Sequence, residues 1–141
     1  MFYCACLNKN TRIIPYMPRV SFQIEILMKA SPTIIYQFLT SPACLVRWFC
    51  DEADIQDDCY IFSWQGVPEV ALIVDDIEDE RLRLRWDYAD KDEFLEFRIY
   101  KSDVTEQTIL EITDFCDSND VSDQKRLWES QIADMRKEMG G

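Results

Sequence analysis

Residues 20–49 read VSFQIEILMK ASPTIIYQFL TSPACLVRWF, and the fold is decided here. Val20, Phe22, Ile24, Ile26 and Met28 fall on one face of the opening segment, with Ser21, Gln23, Glu25 and Lys29 on the other. A period of two predicts a half-buried strand. Ser31-Pro32 then combines an N-cap with a proline at the first helical position, where a missing N–H costs nothing. Ile34, Ile35, Phe38 and Leu39 follow at helical spacing. Ser41-Pro42 repeats the start signal, and Leu45, Val46, Trp48 and Phe49 mark a second short helix. The residue before a proline avoids helical geometry, so the two helices meet at an angle.

Downstream, the chain reads as strand after strand. Short strands at 53–56 and 59–65 are split by Asp57-Asp58, and Tyr60, Phe62 and Trp64 share a face. Gly66 and Pro68 punctuate a turn before a strand at 69–77. Arg81 to Tyr88 sets Leu82, Leu84, Trp86 and Tyr88 against Arg81, Arg83, Arg85 and Asp87. Phe94 to Lys101 sets Leu95, Phe97 and Ile99 against Glu96, Arg98 and Tyr100, and Gln107 to Phe115 carries Leu110 and Ile112 inward. Connections this short favour antiparallel hairpins. After a polar break at 117–120 comes one long helix. At 100° per residue, Val121, Trp128, Ile132, Met135 and Met139 form one stripe, with Gln124 and Gln131 at its margin beside Leu127.

The 141 residues fit one domain, and a content of 48 % hydrophobic residues supplies a core. Residues 1–19 hold Lys9, Arg12 and Arg19 and no acid, whereas all 27 acids lie beyond them. The chain as a whole carries a charge of −12. Such a surface repels phosphate backbones and anionic headgroups, so neither nucleic acid nor a membrane is an expected partner. No apolar run is long enough to span a bilayer. Residues 1–18 read as a loosely held leader, with Met17 as an alternative start, and the domain proper as 19–141.

The six cysteines, Cys4, Cys6, Cys44, Cys50, Cys59 and Cys116, lack paired Cys-x-x-Cys spacing, and histidine is absent. Free thiols in a reducing cytoplasm are expected. Asp51, Glu52, Asp54, Asp57 and Asp58 lack the glycine and closing Glu of a calcium loop. No metal site and no cofactor is therefore expected. Without histidine there is no Ser-His or Cys-His nucleophilic pair, and no catalytic constellation is legible. Asp114 shares parity with Leu110 and Ile112. It reads either as an interior acid or as a strand-end carboxylate bonded to backbone N–H groups. Arg81, Arg83, Arg85 and Arg98 suggest an anion patch, but Glu96 and Glu111 have matching parity, which predicts solvent-facing cross-strand ion pairs.

The order strand, two short helices, six strands and long helix resembles the helix-grip fold of the START-like (SRPBCC) superfamily. Local wording carries the likeness: Ser31-Pro32, Leu45 with Trp48-Phe49, Phe62 with Trp64, Leu84-Arg85-Trp86, Phe97-Arg98-Ile99, Thr113-Asp114-Phe115, and Leu127-Trp128 with Gln131. These motifs resemble small bacterial START-like proteins, especially of Bacteroidetes, which are similar in turn to activators of heat-shock-chaperone ATPase. The resemblance implies an α+β domain in which a curved antiparallel sheet of about seven strands grips the C-terminal helix on its concave face.

It also implies a cavity between sheet and helix. Trp64, Trp86, Phe97, Trp128, Ile132 and Met135 are its expected walls, with Asp114 or Gln131 as a polar handle. Binding of a small apolar ligand, lipid-like or an aromatic metabolite, is the leading expectation. A chaperone-associated or other protein-interaction domain is the alternative, and a cyclase or hydrolase of a hydrophobic substrate the third. The leader reading has a direct check. A chain beginning at Met17 should melt within about a degree or two of the full-length protein, because termini without a docking face fray. A larger fall would place Ile13, Ile14 and Tyr16 in the core.

Overall fold

The computed structural model describes residues 18–140. The leader reading thus falls outside the described residues save for Pro18, whose carbonyl accepts the Ser118 N–H at 2.8 Å. Strand β1 spans Arg19–Met28, followed by helices α1 (Pro32–Thr40) and α2 (Pro42–Leu45). The remaining strands are β2 (Glu52–Gln56), β3 (Cys59–Trp64), β4 (Val67–Ile77), β5 (Arg81–Trp86), β6 (Leu95–Lys101) and β7 (Thr108–Asp117). A 3₁₀ turn at Ser118–Asp120 leads into α3 (Val121–Glu138). The seven strands form one antiparallel sheet in the order β1-β7-β6-β5-β4-β3-β2. This is the helix-grip arrangement expected from the sequence.

Local chemistry accounts for the elements. Ser31 caps α1, its hydroxyl accepting the Ile34 N–H at 3.3 Å. The second helix is shorter than its apolar spacing predicted. It ends at Leu45 because the next turn mixes bond lengths of helix: Arg47 N–H reaches back three residues to Cys44, and Phe49 N–H four to Leu45. Between β3 and β4, Gln65 and Gly66 both have positive φ, 52° and 80°, giving a two-residue hairpin turn. Pro68, expected in that turn, lies inside β4 opposite Ser63. A bulge between Ile73 and Asp75 shifts the β4–β5 register and bends the sheet.

The inner face carries the core. Phe22, Ile24, Ile26 and Met28 of β1 are buried, as are Leu82, Leu84 and Trp86 of β5 and Leu110 and Ile112 of β7. Helix α3 lays Trp128, Ile132 and Met135 on this face, each fully buried. Gln124, placed at the margin by the sequence, is also buried, while Leu127 is 38 % exposed. The i, i+4 step from Gln124 to Trp128 sets the glutamine under the helix.

The outer face departs from the expectation of solvent-facing pairs. Arg83 meets Glu96 at 2.6 Å and Arg98 meets Glu111 at 3.4 Å, both directly across neighbouring strands. Yet Glu96 and Glu111 are buried, at 6 % and 9 % exposure. Long arginine side chains cover surface as well as neutralising it, and the Arg83 guanidinium lies 4.0 Å from the centre of the Phe94 ring. Arg81 turns to Asp75 at 2.7 Å, away from Arg98 directly opposite. At the start of β1, Arg19 grips Glu93 through two nitrogens at 2.7 and 3.0 Å and Asp117 at 3.1 Å. That clasp ties the first strand to the β5–β6 connection and to the end of β7.

Deleting a buried tryptophan typically costs about 3–5 kcal/mol, out of about 5–15 available to a domain. Trp128→Ala should therefore lower the melting temperature sharply, measured by circular dichroism. An unchanged midpoint would contradict the docking of α3.

Candidate functional site

The concave face is an aromatic surface assembled from five parts of the chain. Strand β3 places Tyr60, Phe62 and Trp64 inward at alternate positions, with Tyr60 and Phe62 stacked at 5.4 Å. Trp86 of β5 meets Phe62 at 5.8 Å and Trp64 at 6.3 Å. Phe49, following α2, sets its edge against Phe62 and Trp64 at 5.0 and 5.3 Å and stacks on Trp128 at 6.2 Å. Trp128 also meets Phe97 of β6 edge-on at 5.6 Å. Edge-to-face contacts of this kind stabilise beyond simple area burial.

Buried indoles need acceptors, and the chain supplies them to Trp48, Trp64 and Trp128. Trp48 Nε1 donates to the Phe38 carbonyl at 2.9 Å and Trp64 Nε1 to the Phe49 carbonyl at 2.8 Å. Trp128 Nε1 donates to Asp114 Oδ2 at 3.0 Å. Asp114 Oδ1 accepts the Phe115 N–H at 2.8 Å. Asp114 is thus interior, at 4 % exposure, and although one oxygen takes a backbone N–H it lies within β7 and not at the strand end.

Two further polar groups reach this region. Gln131 of α3 has its amide oxygen buried without a hydrogen-bond partner among the described residues. Glu69 is the other, and nothing in the sequence reading pointed to it. It pairs across β3–β4 with Phe62 and so shares the inner face, where it is 6 % exposed. Tyr88 Oη donates to Glu69 Oε1 at 3.5 Å. Burial pushes the Glu69 carboxyl above its ordinary range. The Tyr88 bond pulls it back, and the nearby Asp87 charge raises it again.

Two clefts flank the C-terminal half of α3. One, of about 330 Å³, has Trp48, Phe49 and Trp64 as its floor, Gln131 at its side, and Arg47, Asp134, Lys137 and Glu138 around the rim. Arg47 crosses to Glu138 at 3.0 Å. The second, of about 430 Å³, lies on the opposite flank between Leu27–Lys29, Gln107 and Ala133, Arg136 and Lys137. Trp64 and Gln131 of the expected pocket therefore meet at the first cleft. Phe97, Trp128, Ile132 and Met135 pack behind it, and Trp86 lies beside Trp64. Among the described residues no group of three or more acids and cysteines is arranged to hold a metal. Nor is any described helix long and apolar enough to cross a membrane. Cys50 and Cys116 are free and buried, which pushes their thiols up to about 12 and about 11.

The raised Glu69 carboxyl has a consequence for stability. The folded chain keeps this proton to higher pH than the unfolded chain does, so stability falls as pH rises from the ordinary carboxylate range through the raised value. Asp87 and Tyr88 are the titratable groups beside it. Glu69→Gln should melt higher than the parent at about pH 8, with the gain shrinking toward about pH 4. Equal differences at both ends of a pH series of thermal melts would refute the shift.

Comparison with known proteins agrees with this architecture. Residues 17–141 match the family described as the START-like superfamily domain. Among solved structures, BfR322 from Bacteroides fragilis is 26 % identical, with a TM-score of 0.62 over 87 % of this chain and 93 % of that one. The Aha1 dimer from Colwellia psychrerythraea is 16 % identical, with a TM-score of 0.69 over 83 % and 93 %. CalU16 from Micromonospora echinospora is 21 % identical, with a TM-score of 0.65 over 91 % and 79 %. The latter two likenesses show the fold alone. Comparison with curated proteins gives no match. With the family matched over all but the first sixteen residues and the helix-grip sheet in place, the chain belongs to the START-like superfamily.

Proposed function

We propose that the domain binds a small, largely apolar ligand at its concave face, entered through the cleft between the α2 turn and the C-terminal half of α3. Trp64, Trp86, Phe97, Trp128, Ile132 and Met135 are the walls of the site, as the sequence reading has them, and Gln131 is its polar handle. Asp114 plays a supporting part, since its oxygens are taken by Trp128 and Phe115. One observation carries this reading. Gln131 brings a buried amide oxygen with no partner among the described residues to a cleft floored by Trp48, Phe49 and Trp64. A buried acceptor left unmatched costs about 1–3 kcal/mol, and a ligand donor would recover it. Apolar walls with sparse polar groups are the usual make-up of a small-molecule site.

The interaction-domain reading has less support. Exposed apolar side chains such as Leu27, Ile34, Val46, Ile55, Val74, Val104 and Leu127 are spread from β1 to α3. Singly scattered side chains of this kind are ordinary surface.

A thermal-shift screen of fatty acids, sterols and aromatic metabolites tests the proposal, with tryptophan fluorescence as a second readout. Binding to the folded state alone should raise the melting temperature as ligand concentration rises. Gln131→Leu should weaken any hit that carries a hydrogen-bond donor by roughly 5- to 10-fold, the worth of one neutral hydrogen bond. A screen in which no compound moves either signal would refute the proposal.

A further inference from the structure

We infer that Glu69 anchors a positively charged group, so that the concave face selects a small amphipathic amine, its ammonium on the Glu69 carboxylate and its apolar body on the surrounding rings. The inference rests on the concave face being a ligand site, and names the class of ligand it takes.

Sheet geometry sets four rings around this carboxyl. Phe62 lies directly across β3–β4 from Glu69. Trp64, paired with Val67, occupies one diagonal position, and Trp86, paired with Ala71, the other. Tyr88 closes the far side through its 3.5 Å bond. The rings stand in mutual contact: Phe62 with Trp64 at 6.0 Å, Trp64 with Trp86 at 6.3 Å and Trp86 with Tyr88 at 6.1 Å. Diagonal neighbours on one sheet face are within reach of aromatic side chains. Ring faces carry negative potential, so rings grouped about a carboxylate make a box suited to a cation, above all an alkylammonium.

The other buried carboxylates show what Glu69 lacks. Glu93 and Asp117 hold Arg19, Glu96 holds Arg83, Glu111 holds Arg98, and Asp114 accepts the Trp128 indole and the Phe115 amide. Among the described residues Glu69 has one long bond from a neutral phenol. A buried carboxyl without a cation is costly in its charged form, and an arriving ammonium removes that cost. On the same face Val67 is 49 % exposed, so the niche lies against an open rim. The overall charge of −12 draws cations toward it.

The test uses matched probes that differ in charge alone: 2-phenylethylamine against 2-phenylethanol, and decylamine against decanol. Affinities are read by tryptophan fluorescence at neutral pH. Each amine should bind the parent at least tenfold more tightly than its alcohol. In Glu69→Gln, or in Glu69→Leu should the first variant fail to fold, that preference should vanish while alcohol binding persists. Tyr88→Phe keeps the carboxylate and should keep the preference. Equal binding of amine and alcohol by the parent overturns the inference and leaves the apolar site standing. So does a preference that survives in the Glu69 variants. Binding of neither kind of probe overturns both.

Discussion

The hydrogen bond from the Trp128 indole to Asp114, 3.0 Å long and out of contact with water, is the point on which the rest of the molecule turns. Helix α3 is mostly polar and buries one narrow stripe, so its hold on the sheet depends on a few side chains. Trp128 is the largest of them, and an indole nitrogen cannot be buried cheaply without an acceptor. Asp114 provides one from within β7, where strand alternation aims it inward. The rotation of the helix about its axis and its position along the sheet are fixed together by that bond. Phe49 then stacks on the indole, and Trp64 and Phe62 pack on Phe49. The cleft beside α3 has its floor where it does because this chain of contacts begins at Asp114.

Polar groups on the inner face divide into two kinds. Asp114, Trp48 and Trp64 have short, internally matched bonds that rigidify the scaffold. Glu69 and the Gln131 amide oxygen lack such matches among the described residues. The outer face handles burial differently, through arginines laid across Glu96 and Glu111. Four other buried carboxylates, Glu93, Glu96, Glu111 and Asp117, are held by arginines, which makes Glu69 a chemically distinct spot. The two groups come from opposite sides of the fold, one from a strand and one from the helix.

The fold was legible because its signals are local. Alternation in β1, two Ser-Pro starts and the α3 stripe each report a period or a cap that needs no tertiary context. Asp114 and Trp128 could be assigned a face by parity, though their bond to each other could not. Glu69 is not legible as an inward residue because β4 reads EVALIV, apolar on both faces, so alternation does not say which way the glutamate points. Placing it requires the register with Phe62, which is set by the Gln65-Gly66 turn. Gln124 reads as marginal because a hydropathy stripe registers apolar side chains and passes over a polar one lying beneath a helix. The outer-face carboxylates read as open to solvent because parity gives a side, whereas burial depends on how far neighbouring arginines reach.

The sheet order gives the domain a particular birth. Among the described residues β1 lies at one edge with β7 as its sole strand neighbour, and the two run antiparallel over ten residue pairs. β1 emerges from the ribosome before the other described strands and must therefore wait for β7, the last of them. Until Thr108–Asp117 is made, the Phe22–Met28 face has no sheet to join, and α3, which covers it, comes later still. Hairpins from β2 to β6 can form as they appear, but the core closes through its most distant contacts. Such topology slows folding and leaves an apolar strand exposed throughout synthesis. The alternating Gln23, Glu25 and Lys29 on its other face keep that waiting strand hydrated on one side, a safeguard against premature pairing with other nascent chains.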